Sequence, residues 1–474
     1  MKEIVVIGGG IIGCFLAHDL SKQEGVHVSV IEKHQDVAEE VTAANSAIVH
    51  AGYDPEDGTL KALLNKRGAD LYPDICKELD VDYDRCGALI LACGEEEEET
   101  LQELYERGVR RNVKVRMLDR EEILKREPNV SDNVTKAMEA ADTAIITPWE
   151  VCYALMDEVL LNGGHLYLGE TVTAIKHEDN YKVITDKGIH EADMVINAAG
   201  LGSQRIMEMI EDETLFEIQP KRGQYYILSK RAKGFVHEVL YPVPTKVGKG
   251  VLALPTCHGN TLLGPNSEVL DKEDTSCTAD GLTEVKMKLA KTVRNVPYQE
   301  VIHSYSGLRP SGNQNDFYIR ESEKHEGFIH CGCIDSPGLA SAPAISEYVI
   351  NEFIAPHIAL HEKDEYVHRS TLCNMKHLDL DEKQEKIHEQ PRFGHIICRC
   401  EEISEQEVVD CIHRPCGARS IKGVKKRVRP GMGKCQGGFC EVEVAKILAR
   451  ELNIPLHEVC YDSDSYFMVN KGVK

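Results

Sequence analysis

Four cysteines near the end of the chain, Cys398, Cys400, Cys435 and Cys440, are spaced C-x-C and C-x₄-C. Thiolates suit soft metals, so the set points to zinc or to an iron–sulfur cluster. Around it, Ser404 and Glu407 stand at capping-box spacing, which predicts a helix start there. Apolar residues recur at helical spacing after Cys440, which predicts a second helix. Two short helices flanking cysteine loops hold too little core to stand without a bound metal. Cys331 and Cys333 repeat the C-x-C spacing inside an apolar strand-like stretch and are expected to pack there. Cys411 falls on a helix face and should be core, whereas Cys416 is a weaker alternative ligand.

At the front, Gly8, Gly10 and Gly13 form G-x-G-x-x-G immediately after the apolar run Ile4–Ile7. The first glycine permits a tight turn, the second lets the backbone approach a pyrophosphate, and the third lets a helix pack on the strand. The helix start offers free N–H groups and a partial positive charge to phosphates. Glu32 ends the next strand-like segment, about 20 residues on, where a carboxylate accepts ribose hydroxyls. These residues predict dinucleotide binding. The segment before Gly200 and Gly202 reads as a strand, a hairpin turning at Lys187-Gly188, and a buried strand. Residues 327–353 again read strand, glycine turn, helix, with Pro337-Gly338 opening the helix. A single nicotinamide-binding unit has no need of these distant segments; flavoproteins with two such units carry this pattern.

The elements that position these residues belong to a chain of 474 residues, 42% hydrophobic, with a formal net charge of -23. That is core enough for two or three domains. An acidic chain is a poor wrapper of nucleic acid, which needs a basic face. The start, a strand running into a glycine turn, does not read as a secretory signal. No apolar run of about 18 residues predicts a membrane span. The 17 cysteines are odd in number and scattered, which suits reduced thiols and one metal site in a cytoplasmic protein. Residues 414–434 carry eight basic residues and no acid. This stretch is expected to be a solvated surface strand, to stabilise an anionic cluster, or to dock an acidic redox partner. Glu95–Glu99 are expected to form the solvated first turn of a helix beginning near Thr100.

The segments NSAIVHAGYDPEDGTLKALL, PKRGQYYIL, LPTCHGNTLLGPN and SYSGLRPSGNQNDFYIRES resemble the D-amino-acid-oxidase superfamily of FAD enzymes. Within it they are similar to the glycerol-3-phosphate and L-2-hydroxyglutarate dehydrogenase branches. The cysteine unit, with its Gly-Met-Gly-Lys lead-in, resembles the bacterioferritin-associated-ferredoxin-like [2Fe–2S] domain. Its C-x₄-C departs from the more familiar C-x₂-C and is similar to the version appended to anaerobic glycerol-3-phosphate dehydrogenase large subunits. The resemblance implies an α/β (α+β) chain: a Rossmann-like FAD-binding domain (about 1–90, 145–215 and 300–355), an antiparallel-sheet substrate domain (about 91–144 and 216–299), a connector (356–392), a small helical [2Fe–2S] domain (393–460) and a tail (461–474). It implies FAD contacts from Gly8, Gly10, Gly13, Glu32, Lys33, Asn45, Ser46, Val172, Gly200, Gly202, Gly332, Gly338 and Leu339, and a cluster on the four cysteines.

For catalysis the resemblance implies His50 as base or substrate contact and Arg309 as a clamp for a substrate anion. Lys221 and Arg222 are neighbours on one strand and point to opposite faces, so one of them should face the site; Arg222 is the expected one. His258 is a second base candidate. The expected activity is oxidation of glycerol 3-phosphate, with electrons passing from FAD through the cluster to an acceptor or a partner subunit, a second flavoprotein or a ferredoxin-like protein, through which peripheral association with the inner face of the membrane is open to a cytoplasmic chain. The alternatives are an L-2-hydroxy acid or an amine as substrate, a non-catalytic electron-transfer subunit, or a zinc-stabilised binding module.

Overall fold

The computed structural model describes residues 1–244, 250–463 and 465–468. The apolar run at the front is the strand Lys2–Ile7, whose last four residues are all buried. It is central in a six-stranded sheet ordered Tyr318–Glu321, Phe328–Gly332, Met194–Asn197, Lys2–Ile7, Val26–Glu32, His165–Leu168. The sheet is parallel except for its edge strand Tyr318–Glu321. Burial on both faces is why these strands read as continuous apolar runs rather than alternating ones. The helices Ile11–Ser21, Pro148–Leu161 and Gly338–Val349 pack together on one face, with Leu60–Glu78 against the last. An antiparallel hairpin sheet, Val172–His177, Tyr181–Thr185 and Ile189–Ala192, covers the other, turning at Lys187-Gly188 as expected.

A second, nine-stranded sheet carries two long partners, Ile218–Leu228 and Val301–Gly312, paired antiparallel along their lengths. Val301–Gly312 was expected within the cofactor segment 300–355; it belongs to this sheet instead. The acidic helix begins at Glu95, one turn before the expected Thr100, and spans Glu95–Arg110 with Glu95–Glu98 in its first turn.

Residues 356–392 run over the surface and include the helix Leu380–Glu389. The cysteine module follows. A short hairpin, Ile396–Cys398 with Ile403–Ser404, leads into the helices Glu405–His413, Ile421–Val428 and Glu441–Leu452, which share one buried core. The first helix starts at the Ser404/Glu407 capping box, and the last starts directly after Cys440. The middle helix corrects the expectation for the basic stretch, which is not a surface strand. Its Arg427 is buried against Asp36 of the first domain. Lys422 and Lys426 pair with Glu39, and Arg414 with Asp157. Much of the basic stretch thus serves to seat the module on its own chain.

Candidate functional site

The glycine turn, the 39–42 loop, the strand pair Ile218–Leu228/Val301–Gly312 and the start of Gly338–Val349 enclose a cavity of about 590 Å³. At one end lie Gly8, Gly10, Glu32 and Lys33. The buried Glu32 accepts N–H groups from Gly9 at 2.7 Å and His34 at 2.9 Å. Burial raises its pKa, with those two amides opposing the shift. Gly13 stands behind the wall; a Cβ there would lie 2.0 Å from the Gly8 carbonyl oxygen, so only glycine lets the helix seat against the turn. Neither Ile11–Ser21 nor Gly338–Val349 is capped by its own N-cap residue, although Thr42 Oγ1 accepts the Ile11 N–H, and both helices start at the cavity wall. Two sets of helix-start amides therefore converge on one space, an arrangement suited to a pyrophosphate. Asn45, Ser46, Val172, Gly200, Gly202, Gly338 and Leu339 line it as expected. Gly332 does not. It is buried behind the wall, where a Cβ would meet the Phe216 ring at 2.6 Å, so it is a packing glycine. Cys331 lines the cavity and Cys333 is buried; burial pushes the Cys331 thiol up to about 12, which keeps it a neutral packing group.

At the far end the chemistry is cationic. Lys221 and Arg309 are direct partners in the antiparallel ladder, so their side chains share a face, and both line the cavity. Gly223, two residues along, leaves room for the guanidinium, whose Nη2 a Cβ there would approach to 2.6 Å. Arg309 Nη1 is buried with no hydrogen-bond partner among the described residues. A buried, unsatisfied guanidinium donor is costly and calls for an anion. Arg222 takes the opposite face and is a correction to the expected assignment. It is 3% exposed, bonds Glu268 at 2.8 Å and Asp274 at 2.9 Å, and does not line the cavity. Lys221 holds the place expected of it. The ladder register with Arg309 decides this, and single-strand alternation cannot supply it.

His50 lines the cavity with Tyr241, whose hydroxyl lies 3.1 Å from His50 Nδ1. Burial holds the Tyr241 phenol protonated, well above its ordinary pKa. Tyr225 also lines the cavity and stacks on Tyr305, with ring centroids 4.6 Å apart. His258 is the second correction, since it lies outside the cavity. It sits 3.1 Å from Thr147 Oγ1, 3.5 Å from Asp82 and 3.7 Å from Glu150. Burial and the charges of Arg429 and Lys230 push it down to about 2, so it stays neutral.

The four module cysteines lie as two pairs. Cys400 and Cys435 sulfurs are 3.7 Å apart, and the Cys398 and Cys440 thiols share a hydrogen bond. That hydrogen bond, with the backbone amides of Gly431, Glu401 and Cys400, lowers Cys398 to about 6. Amides aimed at a thiolate are what a sulfur-ligated cluster needs. Cys411 and Cys416 are buried apart from the four. Cys416 faces the first domain, its N–H donating to Asp157 and its sulfur beside Arg427.

Residues 3–352 match the FAD dependent oxidoreductase (DAO) family. The chain belongs to that family. Residues 396–450 of this FAD-dependent oxidoreductase match the BFD-like [2Fe-2S] binding domain. Along its whole length it is similar to a glycerol 3-phosphate dehydrogenase of Caloramator mitchellensis, 42% identical over 100% of this chain and 99% of that one. It is similar in structure to a dithionite-reduced L-alpha-glycerophosphate oxidase of Mycoplasma pneumoniae with FAD bound, with TM-score 0.74 and 29% identity over 79% of this chain and 99% of that one. A bovine mitochondrial L-2-hydroxyglutarate dehydrogenase is 32% identical over 57% of this chain and 62% of its own length. The oxidoreductase uses FAD and a [2Fe–2S] cluster. The donor sets fit both: paired helix starts with Glu32 for the dinucleotide, two pairs of thiols for the cluster.

Proposed function

We propose that this oxidoreductase oxidises sn-glycerol 3-phosphate to dihydroxyacetone phosphate and passes the electrons out through its cluster. The observation that carries the reading is the likeness to the Caloramator dehydrogenase across the whole of both chains, module included. The cation pair Lys221/Arg309 supports it, since a guanidinium and an ammonium on one wall suit a phosphate monoester.

FAD, when bound, supplies the acceptor for the carbinol hydride, and the cluster relays the two electrons singly. The chain's own residues do the rest. Lys221 and Arg309 hold the phosphate and so orient the secondary alcohol. His50 takes the hydroxyl proton on Nε2, with Nδ1–H donating to Tyr241 Oη so that the ring is fixed. The tyrosines Tyr225 and Tyr241 supply aromatic wall to the site. The alcohol loses one hydride and one proton and becomes the ketone.

The electrons leave where the module is bare. Cys400 is exposed, as are Phe439, at 86% and next to Cys440 in sequence, and Arg399 and Lys434, which adjoin Cys400 and Cys435 in sequence. Exposed apolar and cationic side chains adjoining the cluster cysteines support docking of an acidic electron-transfer protein. No helix among the described residues is long and apolar enough to cross a membrane. All 17 cysteines are unpaired, which supports a reducing, cytoplasmic setting.

A second reading, an L-2-hydroxy acid as substrate, is favoured by the bovine relative, because a carboxylate would engage the same two cations. Anaerobic visible titrations separate the two. Flavin bleaching followed by loss of cluster absorbance with glycerol 3-phosphate, and not with L-2-hydroxyglutarate, is expected. The reverse pattern would assign the second substrate, and no response to either would overturn both readings.

A further inference from the structure

Residues 36–42, a loop that runs into the short helix Glu40–Ala43, form one wall at the dinucleotide end of the cavity, through Glu39, Glu40, Val41 and Thr42. Two of its residues hold left-handed backbone without being glycine, Ala38 with φ 57 and Glu40 with φ 50. Such strain persists only where the surroundings over-determine it. On the inner side the loop is tied to the glycine turn itself. Ala38 N–H donates to Gly9 O at 2.9 Å, and Ile11 N–H donates to Thr42 Oγ1 at 3.0 Å.

On the outer side the loop is gripped by the cysteine module. Arg427, whose side chain is fully buried, sets its fork on Asp36 with bonds of 2.6 and 2.8 Å, and its guanidinium lies 3.7 Å from the centre of the Tyr153 ring. Lys426 reaches Glu39 at 2.6 Å and Lys422 reaches it at 2.9 Å. All three cations come from the one helix Ile421–Val428. A continuous chain of contacts therefore runs from that helix, through the strained loop, to the Gly9 carbonyl and the Ile11 amide of the glycine turn. A cluster held only by the folded module adds its binding free energy to the module's stability.

We propose that the [2Fe–2S] module is a structural part of the FAD site: helix Ile421–Val428 holds the 36–42 loop in its binding form, so that FAD affinity and cluster integrity are coupled. Arg427 and Lys426 are positioning residues for FAD. Coupling of this kind is reciprocal, so bound FAD also protects the cluster. The chain binds its flavin at full strength only after the electron outlet has been assembled.

The test uses full-length protein stripped of FAD and no substrate, so its outcome is independent of which alcohol is oxidised. FAD dissociation constants are measured by flavin fluorescence for wild type, Arg427→Gln and Lys426→Gln. Iron, sulfide and visible circular dichroism verify that each variant carries its full cluster. Both variants are expected to weaken FAD by roughly 5- to 150-fold, the usual span of a coupling between sites. Chelation of the cluster from wild type is expected to weaken FAD comparably, and FAD-free wild type is expected to lose its cluster to the chelator faster by a similar factor. If Arg427→Gln fails to fold, Lys426→Gln and the wild-type chelation arm decide. FAD affinity within about twofold of wild type in cluster-replete Lys426→Gln, or unchanged affinity after cluster removal, would overturn the proposal.

Discussion

Lys221 and Arg309 lie far apart in sequence, and neither alone makes an anion site. The ladder register puts them on one face, and Gly223, two residues along the strand from Lys221, clears the space the guanidinium occupies. Hydrogen bonds to charged groups are worth about 1.5–3 kcal/mol, so Lys221→Ala is expected to raise KM for the phosphate substrate by roughly 10- to 150-fold. Steady-state kinetics check this, with Arg222→Ala as the contrast: it should lower the Tm and leave KM in place. His50→Asn is expected to slow anaerobic flavin reduction by roughly 10²- to 10⁴-fold in stopped flow, with FAD content unchanged. His258 and Glu150 act on stability instead. Burial, with Asp82 beside it, raises Glu150 from 4.5 to about 8, while burial and nearby cations lower His258 from 6.5 to about 2. Between pH 6.5 and 8 the folded chain keeps a proton on Glu150 that the unfolded chain has released, so this contribution to stability falls as pH rises. Between 4.5 and 6.5 the unfolded histidine binds a proton that offsets the one on Glu150, and below 4.5 the unfolded chain binds both, so stability falls again. Glu150→Gln should abolish the alkaline limb, seen as a Tm that no longer declines from pH 6.5 to 8.

At the scale of elements, local chemistry accounts for much of what forms. The helix Glu405–His413 starts at Ser404 because its side chain accepts the Glu407 N–H while the Glu407 carboxylate takes the Ser404 N–H. Replacing an N-cap serine by alanine costs about 0.5–2 kcal/mol, so Ser404→Ala is expected to speed cluster loss to a chelator and leave flavin bleaching by substrate intact. The helix Ile421–Val428 shows where local reading stops. Its basic residues alone suggested a solvated strand, a cluster stabiliser or a partner surface. Arg427 and Lys426 are buried because Asp36 and Glu39, almost 400 positions earlier, and the Tyr153 ring wait for them. The strand Val301–Gly312 is similar: its sequence sits among cofactor segments, and its pairing with Ile218–Leu228 assigns it to the other sheet.

At the scale of the molecule, the module is clamped to the FAD domain on one side and bare at Phe439 and Cys400 on the other. Phe439→Ser is expected to slow reduction of an acidic redox protein such as a flavodoxin, and rising salt should slow the wild type in the same assay. Reduction of a small dye should be unaffected by the substitution.

The sequence by itself determined the chemistry that is carried by short spacings. G-x-G-x-x-G with Glu32, the strand–turn–helix at Pro337-Gly338, the four cysteines and the Ser404 cap are each legible because their partners lie within one turn or one supersecondary unit. His50 and Arg309 were found by likeness to known motifs, and the structure sets both on the cavity wall. The tertiary structure alone decided between Lys221 and Arg222, moved His258 and Gly332 away from the cavity, and turned the basic stretch inward. Each of these depends on which distant strand or acid a residue meets. Side-chain alternation names two faces of a strand without saying which is occupied, and only the ladder and the packed neighbour break that tie.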